Sequence, residues 1–207
     1  LSSAEADTDL PPLRGSVEPV SGMSQFGMAF DDEGERFLCS NRNHIQHVVI
    51  DEPYASRNPR LALRETVEDI PDHGAAAQIF PLSRNWTTSN LHAGTFTAAC
   101  GACIYRGGLL EAVRGDAFVC DPTGNLVHHD RLRSTGSTFV ASRVEEGADF
   151  LASPDEWFRP VNLAVGPDGA LYVVDMYRAV IEHPQWVPAE EQNRPDQMSG
   201  DDRGRIY

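Results

Sequence analysis

The chain has 207 residues, a hydrophobic fraction of 41% and a formal net charge of −14 at pH 7. This length and apolar content allow one large β domain with a packed core. The acidity argues against partners that need a basic face, namely nucleic acid and anionic membrane surfaces, and favours small neutral or cationic ligands or metal ions. All 17 basic residues are arginine, which excludes lysine chemistry such as Schiff bases, pyridoxal phosphate attachment and the P-loop.

The two ends of the sequence predict a fragment of a longer protein. The chain begins at Leu1 without a charged segment followed by an apolar one, and it ends in Asp-Arg-Gly-Arg-Ile-Tyr, which resembles a strand cut short. The sequence has no apolar run of about eighteen residues, so we expect no membrane span in this segment.

The first part of the chain predicts an irregular lead-in followed by three strands. Residues 1–22 are rich in Ser, Pro and acidic residues and form the lead-in. After the lead-in, strands are predicted at 26–30, 36–39 and 45–50. The following segment, from 52 to about 95, is rich in Arg, Pro, Asn and Asp, which predicts a long loop insertion, with a degenerate blade as the alternative.

The second part of the chain predicts one set of four strands and the start of another. The first set lies at 96–105, 117–120, 126–129 and 138–144, and the next begins at 157–165 and 170–174. A closing strand is predicted at 205–207. Four short strands in series are typical of a β-propeller blade, and a β-sandwich is the alternative.

One turn motif recurs along the chain. Residues 158–175 contain two apolar runs joined at Pro167-Asp168-Gly169, which predicts a tight hairpin with a positive φ at Gly169. Related hairpins are predicted at 26–39 and 117–128. The turn glycines Gly34 and Gly169 are separated by about three times the roughly 45 residues of one blade. The recurrence favours an all-β partial propeller of four-stranded antiparallel blades over residues 23–207.

Four stretches resemble a known family: residues 26–30, 96–107, 116–128 and 156–178. They are similar to the six-bladed β-propellers of the glucose/sorbosone dehydrogenase type, in particular the planctomycete-type membrane-bound dehydrogenases that contain a haem domain. The resemblance implies about three blades of a six-bladed propeller that oxidises a sugar or alcohol and passes electrons to a quinone or haem acceptor. It also implies pyrroloquinoline quinone and Ca²⁺ as cofactors, a cytochrome c-type domain elsewhere in the full protein, and an exported, periplasmic or cell-envelope location.

The resemblance also implies cofactor-binding residues, namely Arg106, Arg159 and Asn162. Arg106 stands near the strand end at which the family has a lysine, and Arg159 is the remaining member of an arginine pair that precedes the hairpin. Before the first family-like strand, Met23-Ser24-Gln25 replaces the Arg-Asn pair that contacts the quinone in related enzymes.

Two residues are candidate catalytic groups. Arg159 begins an inner strand and could bind a carboxylate or a quinone oxygen bidentately, with a structural ion pair as the alternative. His44 follows a strand, and its usual pKa suits it to accept a proton as hydride leaves a hydroxyl carbon. His44 and His47 face opposite sides of a strand, so we do not expect them to share a metal ion. We place His128 and His129 at the outer edge of their blade.

Asp175 is the candidate metal ligand. It ends a strand and could bind Ca²⁺ together with backbone carbonyls, while pairing with Arg178 is the simpler alternative.

The four cysteines are Cys39, Cys100, Cys103 and Cys120. Cys100 and Cys103 form a C-x-x-C pair, but Ile104 follows in place of His, so we expect no haem attachment in this segment. A zinc site would need a second close pair of ligands. Cys100 and Cys120 flank a turn region and could form a disulfide across neighbouring strands, with buried free thiols as the alternative.

Three functions remain open at this point. The first is a propeller dehydrogenase, and the second is a non-catalytic carbohydrate- or protein-binding scaffold in an exported multidomain protein. The third is a lactonase-like hydrolase, for which Asn162 and Asp175 would supply part of a calcium site.

Overall fold

The computed structural model describes residues 15, 20–60, 62–63, 65–75, 77–84, 94–181, 189, 193 and 195–207. Most of the lead-in predicted for residues 1–22 lies outside them. Within the described residues, each predicted strand is present, with its ends shifted by a few residues. The helices in this part of the chain are all too short or too polar to cross a membrane.

The first sheet is a four-stranded antiparallel meander with the order β1-β2-β3-β4. Its fourth strand, which pairs with β3, lies inside the segment that the sequence predicted as a loop insertion. The sequence did not reveal it, because a short polar strand cannot be distinguished from a loop until its pairing partner is known. A single turn of helix, α1 (Glu52–Ala55), connects β3 to β4. The strands are β1 (Met28–Phe30), β2 (Arg36–Leu38), β3 (Gln46–Val48) and β4 (Val67–Asp69).

The second sheet repeats the same meander as β5-β6-β7-β8. Its third strand is long enough to have two partners on one edge, so β8 pairs with its second half and β9 with its beginning. A 3-10 turn at Glu111–Val113 lies between β5 and β6. The strands are β5 (Cys100–Ile104), β6 (Ala117–Asp121), β7 (Leu126–Ser134), β8 (Phe139–Arg143) and β9 (Leu151–Ala152).

The third sheet contains β10 (Pro160–Val165), β11 (Leu171–Asp175) and β12 (Arg205–Ile206). The predicted hairpin between β10 and β11 is confirmed, with Val165 opposite Leu171. Gly169 has a φ of 82° and donates its N–H to the carbonyl of Gly166. The turn is therefore closed by the glycine at which the sequence predicted a positive φ.

The first strands of the three sheets lie side by side, with β5 between β1 and β10. Gly101 makes this approach possible, since a Cβ atom there would lie 2.6 Å from the Cα atom of Asn162. From this row of inner strands each meander runs outward, as in consecutive blades. The chain is therefore an all-β partial β-propeller with antiparallel blades, and the β-sandwich alternative is wrong.

The hydrophobic core lies between neighbouring sheets. One cluster joins the first and second sheets through Phe37, Ile45, Ile70, Ile104, Ala117 and Ala141. Another joins the second and third through Phe118, Val127, Phe158, Leu163 and Val173, among others. Burial of one such large side chain contributes about 1.5–3 kcal/mol, so each blade is stabilised by the next.

Candidate functional site

A groove of about 470 Å³ runs along the inner strands of all three sheets. Most of the lining residues have apolar side chains and come from β1, β5 and β10, with Met28 and Phe30 about half exposed. The polar side chains that line it are the half-buried thiol of Cys103 and the guanidinium of Arg106, and the exposed surface of the groove is more polar than apolar. Apolar side chains with a small number of placed polar groups are also found in small-molecule sites.

Arg106 is anchored next to the groove by an acidic partner. Its Nε lies 2.8 Å from Oδ1 of Asp32, whose other oxygen lies 2.9 Å from a terminal nitrogen of Arg114. Hydrogen bonding from Arg114 and the charge of Arg106 hold the pKa of Asp32 below its usual value. All three side chains are well exposed, so this pairing is weak and Arg106 can exchange Asp32 for an anionic ligand.

Asn162 lies on β10, directly before the groove residue Leu163. The residue is exposed, and its side-chain oxygen accepts a hydrogen bond of 2.9 Å from the N–H of Leu163. Of the three predicted cofactor-binding residues, Arg106 lines the groove, whereas Asn162 does not, because successive side chains of a strand point to opposite faces and Leu163 is the one that lines the groove.

Arg159 is buried, and its guanidinium holds loop backbone in place. It donates to the carbonyls of Pro122 at 2.8 Å, Arg178 at 3.0 Å and Ala179 at 2.9 Å. Charge-assisted hydrogen bonds of this kind stabilise the loops that lie beside the beginning of β10. A catalytic or cofactor-binding role for Arg159 stays a prediction.

Asp175 is also buried and uses one oxygen to hold backbone. Its Oδ1 accepts the N–H groups of Arg159 and Tyr177, both at 2.8 Å. Its Oδ2 has no hydrogen-bond partner within the described part of the chain. The long ion pair that this oxygen makes is with Nε of Arg205, 4.0 Å away, rather than with Arg178. This oxygen could bind a cation, but Ca²⁺ takes about six to eight oxygens, so the metal role of Asp175 stays a prediction.

His44 lies between the first and second sheets and does not line the groove. It is fully buried, stacks on Phe96 with ring centroids 4.5 Å apart, and has its Nε2 2.7 Å from Oδ2 of Asp130. Burial lowers the pKa of His44 to about 4, against the opposing effect of Asp130. The ring is therefore neutral at pH 7, and its role as a catalytic base stays a prediction.

The structure places His73 and His128 beside His44 and Asp130, a grouping that sequence reasoning missed. His128 was predicted on a strand toward the outer edge of its blade, and it lies on the third strand outward in the second sheet, where it is fully buried. Although burial opposes it, hydrogen bonding with Asp130 and Asp149 raises the pKa of His128. His128 and Asp130 are two residues apart on β7 and therefore lie on the same face of the strand. This spacing is the one feature of the sequence that could have revealed part of the grouping. His47 has different partners, Thr138 and Glu35.

The four cysteines are free thiols in this structure. Cys100 and Cys120 are nevertheless direct partners across β5 and β6, so the predicted disulfide stays a prediction. Burial raises the pKa of Cys39 and of Cys103 to about 11 in each case. Raised thiol pKa values indicate packing roles rather than nucleophilic ones.

Several solved structures are similar to this chain, whereas no curated protein sequence matches it significantly. An oxidoreductase (glucose dehydrogenase) from Thermus thermophilus is 16% identical with a TM-score of 0.39, over 77% of this chain and 39% of that one. The soluble aldose sugar dehydrogenase from Escherichia coli in the apo form is 14% identical with a TM-score of 0.36, over 72% of this chain and 41% of that one. Likeness at this level concerns the fold alone, and the chain spans about 40% of the length of these two proteins.

The sequence also matches a protein family along almost its whole length. The match covers residues 3–207, and the family is described as Domain of unknown function (DUF7133). This chain therefore belongs to the DUF7133 family.

Proposed function

We propose that the chain is part of a β-propeller oxidoreductase that oxidises a sugar or alcohol at the inner-strand groove and passes the electrons to a quinone or haem acceptor. The observation that carries the proposal is the groove, which joins three consecutive blades, is open to solvent, has a volume of about 470 Å³ and is lined by Arg106. Its size is within the range of about 300–1,000 Å³ that is usual for small-molecule sites.

The groove residues fit a planar anionic cofactor such as pyrroloquinoline quinone in part. The side chains of Met28 and Phe30 offer apolar surface to a ring, and Arg106 can pair with a carboxylate, whereas Asn162 does not line the groove. Arg159 does not fit, because its guanidinium already donates to three backbone carbonyls. When bound, such a quinone would supply the two-electron acceptor, and the groove residues would bind and orient it.

Ca²⁺ at Asp175 belongs to the same proposal, with the buried Oδ2 as the ligand atom. We also propose that a cytochrome c-type domain in the rest of the full protein accepts the electrons, and that the protein is exported to the periplasm or cell envelope. The four stretches that resemble planctomycete-type membrane-bound dehydrogenases support these points.

A non-catalytic carbohydrate- or protein-binding scaffold is the second candidate. It is favoured by the positions of the two predicted catalytic side chains, since Arg159 and His44 are both buried and hold other parts of the protein. In this case the groove would bind a ligand without transforming it.

The two candidates differ in cofactor binding and in dye reduction. The full-length protein would be incubated with pyrroloquinoline quinone and Ca²⁺, and then assayed for bound quinone and for dye reduction across a panel of sugars and alcohols. We expect quinone binding that is at least about tenfold weaker in Arg106→Ala, because a charge-assisted contact is lost. Arg114→Ala is the matched control, since Arg114 shares the same Asp32 partner but does not line the groove.

Equal binding by both variants would refute a role for Arg106 in holding the cofactor. Absence of bound quinone and of dye reduction across the whole panel would overturn the dehydrogenase proposal. Retention of a sugar by the groove under those conditions would support the scaffold.

A further inference from the structure

Four potential metal ligands from three segments of the chain converge between the first and second blades. One ligand atom from each lies within 4.8 Å of every other, and three of the four residues are fully buried. His44 comes from the loop between β2 and β3, and His73 comes from the turn after β4. We call the following group the histidine cluster: His44, His73, His128 and Asp130.

The spacing of the histidine cluster suits a four-coordinate ion. The Nε2 atoms of His128 and His73 lie 3.0 and 3.7 Å from Oδ1 of Asp130, and Nε2 of His44 lies 2.7 Å from its Oδ2. A tetrahedral zinc ion with bonds of about 2.0–2.2 Å sets its ligand atoms about 3.3 Å apart. The observed distances lie on both sides of that value, so small side-chain shifts would admit the ion.

Two histidines of the cluster are oriented by further carboxylates. Nδ1 of His128 lies 2.7 Å from Oδ1 of Asp149, and Nδ1 of His73 lies 3.0 Å from Oδ1 of Asp72. A carboxylate behind a histidine is the usual outer partner of a metal ligand, because it fixes the proton on Nδ1 and leaves the Nε2 lone pair for the ion.

These outer carboxylates are themselves fixed by other groups. Asp149 accepts the backbone N–H of Phe80 at 2.7 Å and a guanidinium N–H of Arg143 at 3.0 Å. Asp72 accepts a hydrogen bond from the hydroxyl of Ser142. The orientation of His73 and His128 is therefore built into the fold, which is expected of a formed site.

The cluster also contains a buried nitrogen atom that no protein group satisfies. Within the described residues, Nε2 of His73, one of the proposed ligand atoms, has no hydrogen-bond partner. In His128, a proton on Nδ1 leaves the Nε2 lone pair facing a carboxylate oxygen of Asp130 at 3.0 Å. A cation bound between these atoms would give Nε2 of His73 a partner, and it would remove the repulsion between the His128 lone pair and the Asp130 oxygen. Without a metal ion, removing that repulsion requires a second proton on the His128 ring.

We propose that the histidine cluster binds one divalent transition-metal ion of the zinc type, which holds the first and second blades together. Three imidazoles and one carboxylate suit Zn²⁺ and related ions, whereas Ca²⁺ and Mg²⁺ prefer oxygen ligands. Four protein ligands leave no open position, so the site is structural. The partly exposed ring of His73 provides the entry path. This inference does not rest on the proposed dehydrogenase activity.

The test measures metal content and coordination in the full-length protein. The protein would be stripped with a chelator, reloaded with Zn²⁺ or Co²⁺ and analysed by elemental mass spectrometry, calorimetry and the visible spectrum of Co²⁺. We expect one more bound ion per chain than in His128→Asn, and an intense cobalt spectrum typical of a tetrahedral site. His129→Asn is the matched control, because His129 is the next residue of β7, equally buried and bonded to Asp116 and Glu145.

Two further variants keep the test informative if His128→Asn does not fold. His73→Gln removes the partly exposed ligand, and we expect it to weaken binding by at least about 10- to 100-fold, the loss usual for disturbing such a site. Asp72→Asn disturbs only the positioning of His73, and we expect about a tenfold loss. Equal affinity for Zn²⁺ in the native protein, His73→Gln and His129→Asn, measured by calorimetry, would overturn the proposal, as would an octahedral cobalt spectrum.

Discussion

Asp121 and Asp175 occupy the same position in successive blades and hold the same part of the backbone. Each ends the second strand of its sheet, and each accepts N–H groups from residues just before the inner strand of that sheet. Asp121 accepts the N–H of Thr97 at 3.2 Å, and Asp175 accepts that of Arg159 at 2.8 Å. The repeat of the fold is thus visible in a buried carboxylate as well as in its strands.

Replacement of either repeated aspartate by asparagine should destabilise the protein. At Asp121 both oxygens accept backbone N–H groups, so asparagine would turn an amide N–H₂ toward a backbone donor. At Asp175 one oxygen accepts both N–H groups, so asparagine can keep these two hydrogen bonds but removes their charge. A hydrogen bond to a charged group contributes about 1.5–3 kcal/mol, against about 0.5–1.5 kcal/mol for a neutral one. We expect Asp121→Asn and Asp175→Asn each to lower the free energy of unfolding by about 2 kcal/mol or more, measured by urea denaturation. Asp168→Asn is the control in an exposed turn, and we expect it to change the stability much less than the other two variants. Equal effects at all three positions would contradict the assigned role.

Arg159→Lys separates a structural role of Arg159 from a catalytic one. Lysine cannot reproduce the fork that donates to the carbonyls of Pro122, Arg178 and Ala179. We expect a loss of about 2–4 kcal/mol in the free energy of unfolding, because at least one buried carbonyl loses its partner. Unchanged stability together with lost dye reduction would instead assign Arg159 to catalysis.

Gly101→Ala tests the close approach of the inner strands. The φ of Gly101 is +59°, and a Cβ atom would lie 2.6 Å from the Cα atom of Asn162 on the neighbouring blade. Left-handed strain costs about 1–2 kcal/mol and overpacking about 1–3 kcal/mol, so we expect a loss of about 2–4 kcal/mol in thermal or urea unfolding. Gly108→Ala, where a Cβ atom meets nothing within 4 Å, should change stability little. A tolerated alanine at 101 would show that the blades are further apart.

The thiol of Cys103 should react slowly at neutral pH and faster in alkali. Burial raises its pKa to about 11, so the reactive thiolate is present above that pH and is lost as the pH falls below it. At pH 8 we expect alkylation on the order of 100-fold slower than that of a free thiol, with a rise of about tenfold per pH unit toward pH 11. Mass spectrometry after brief exposure to iodoacetamide measures the rate. A rate at pH 8 equal to that of a small thiol would show that the groove does not bury Cys103.

The inner-strand hairpin could be predicted from the sequence because its signals are local. Pro167 and Gly169 set the turn, and the apolar runs on either side set the strands. The strands β4 and β9 could not be predicted in this way. Each is two or three residues long, so a pairing partner elsewhere in the chain decides whether the segment is a strand at all.

The side chains of the candidate sites depend on contacts that no local pattern contains. Arg159 was predicted to face a ligand, yet its direction is set by carbonyls from two other loops. The histidine cluster joins a loop of the first sheet, the turn at His73 and the third strand of the second sheet, and these three segments are distant in sequence.

By itself the sequence determined the all-β class, the repeated turn, the series of antiparallel blades and the acidic surface, since turn residues, strand periodicity and charge act over a few positions. Only the tertiary structure decided which side chains meet, which are buried and which face the groove. The physical reason is that blades pack face against face, so every site between or across them is made from segments brought together by burial of apolar surface.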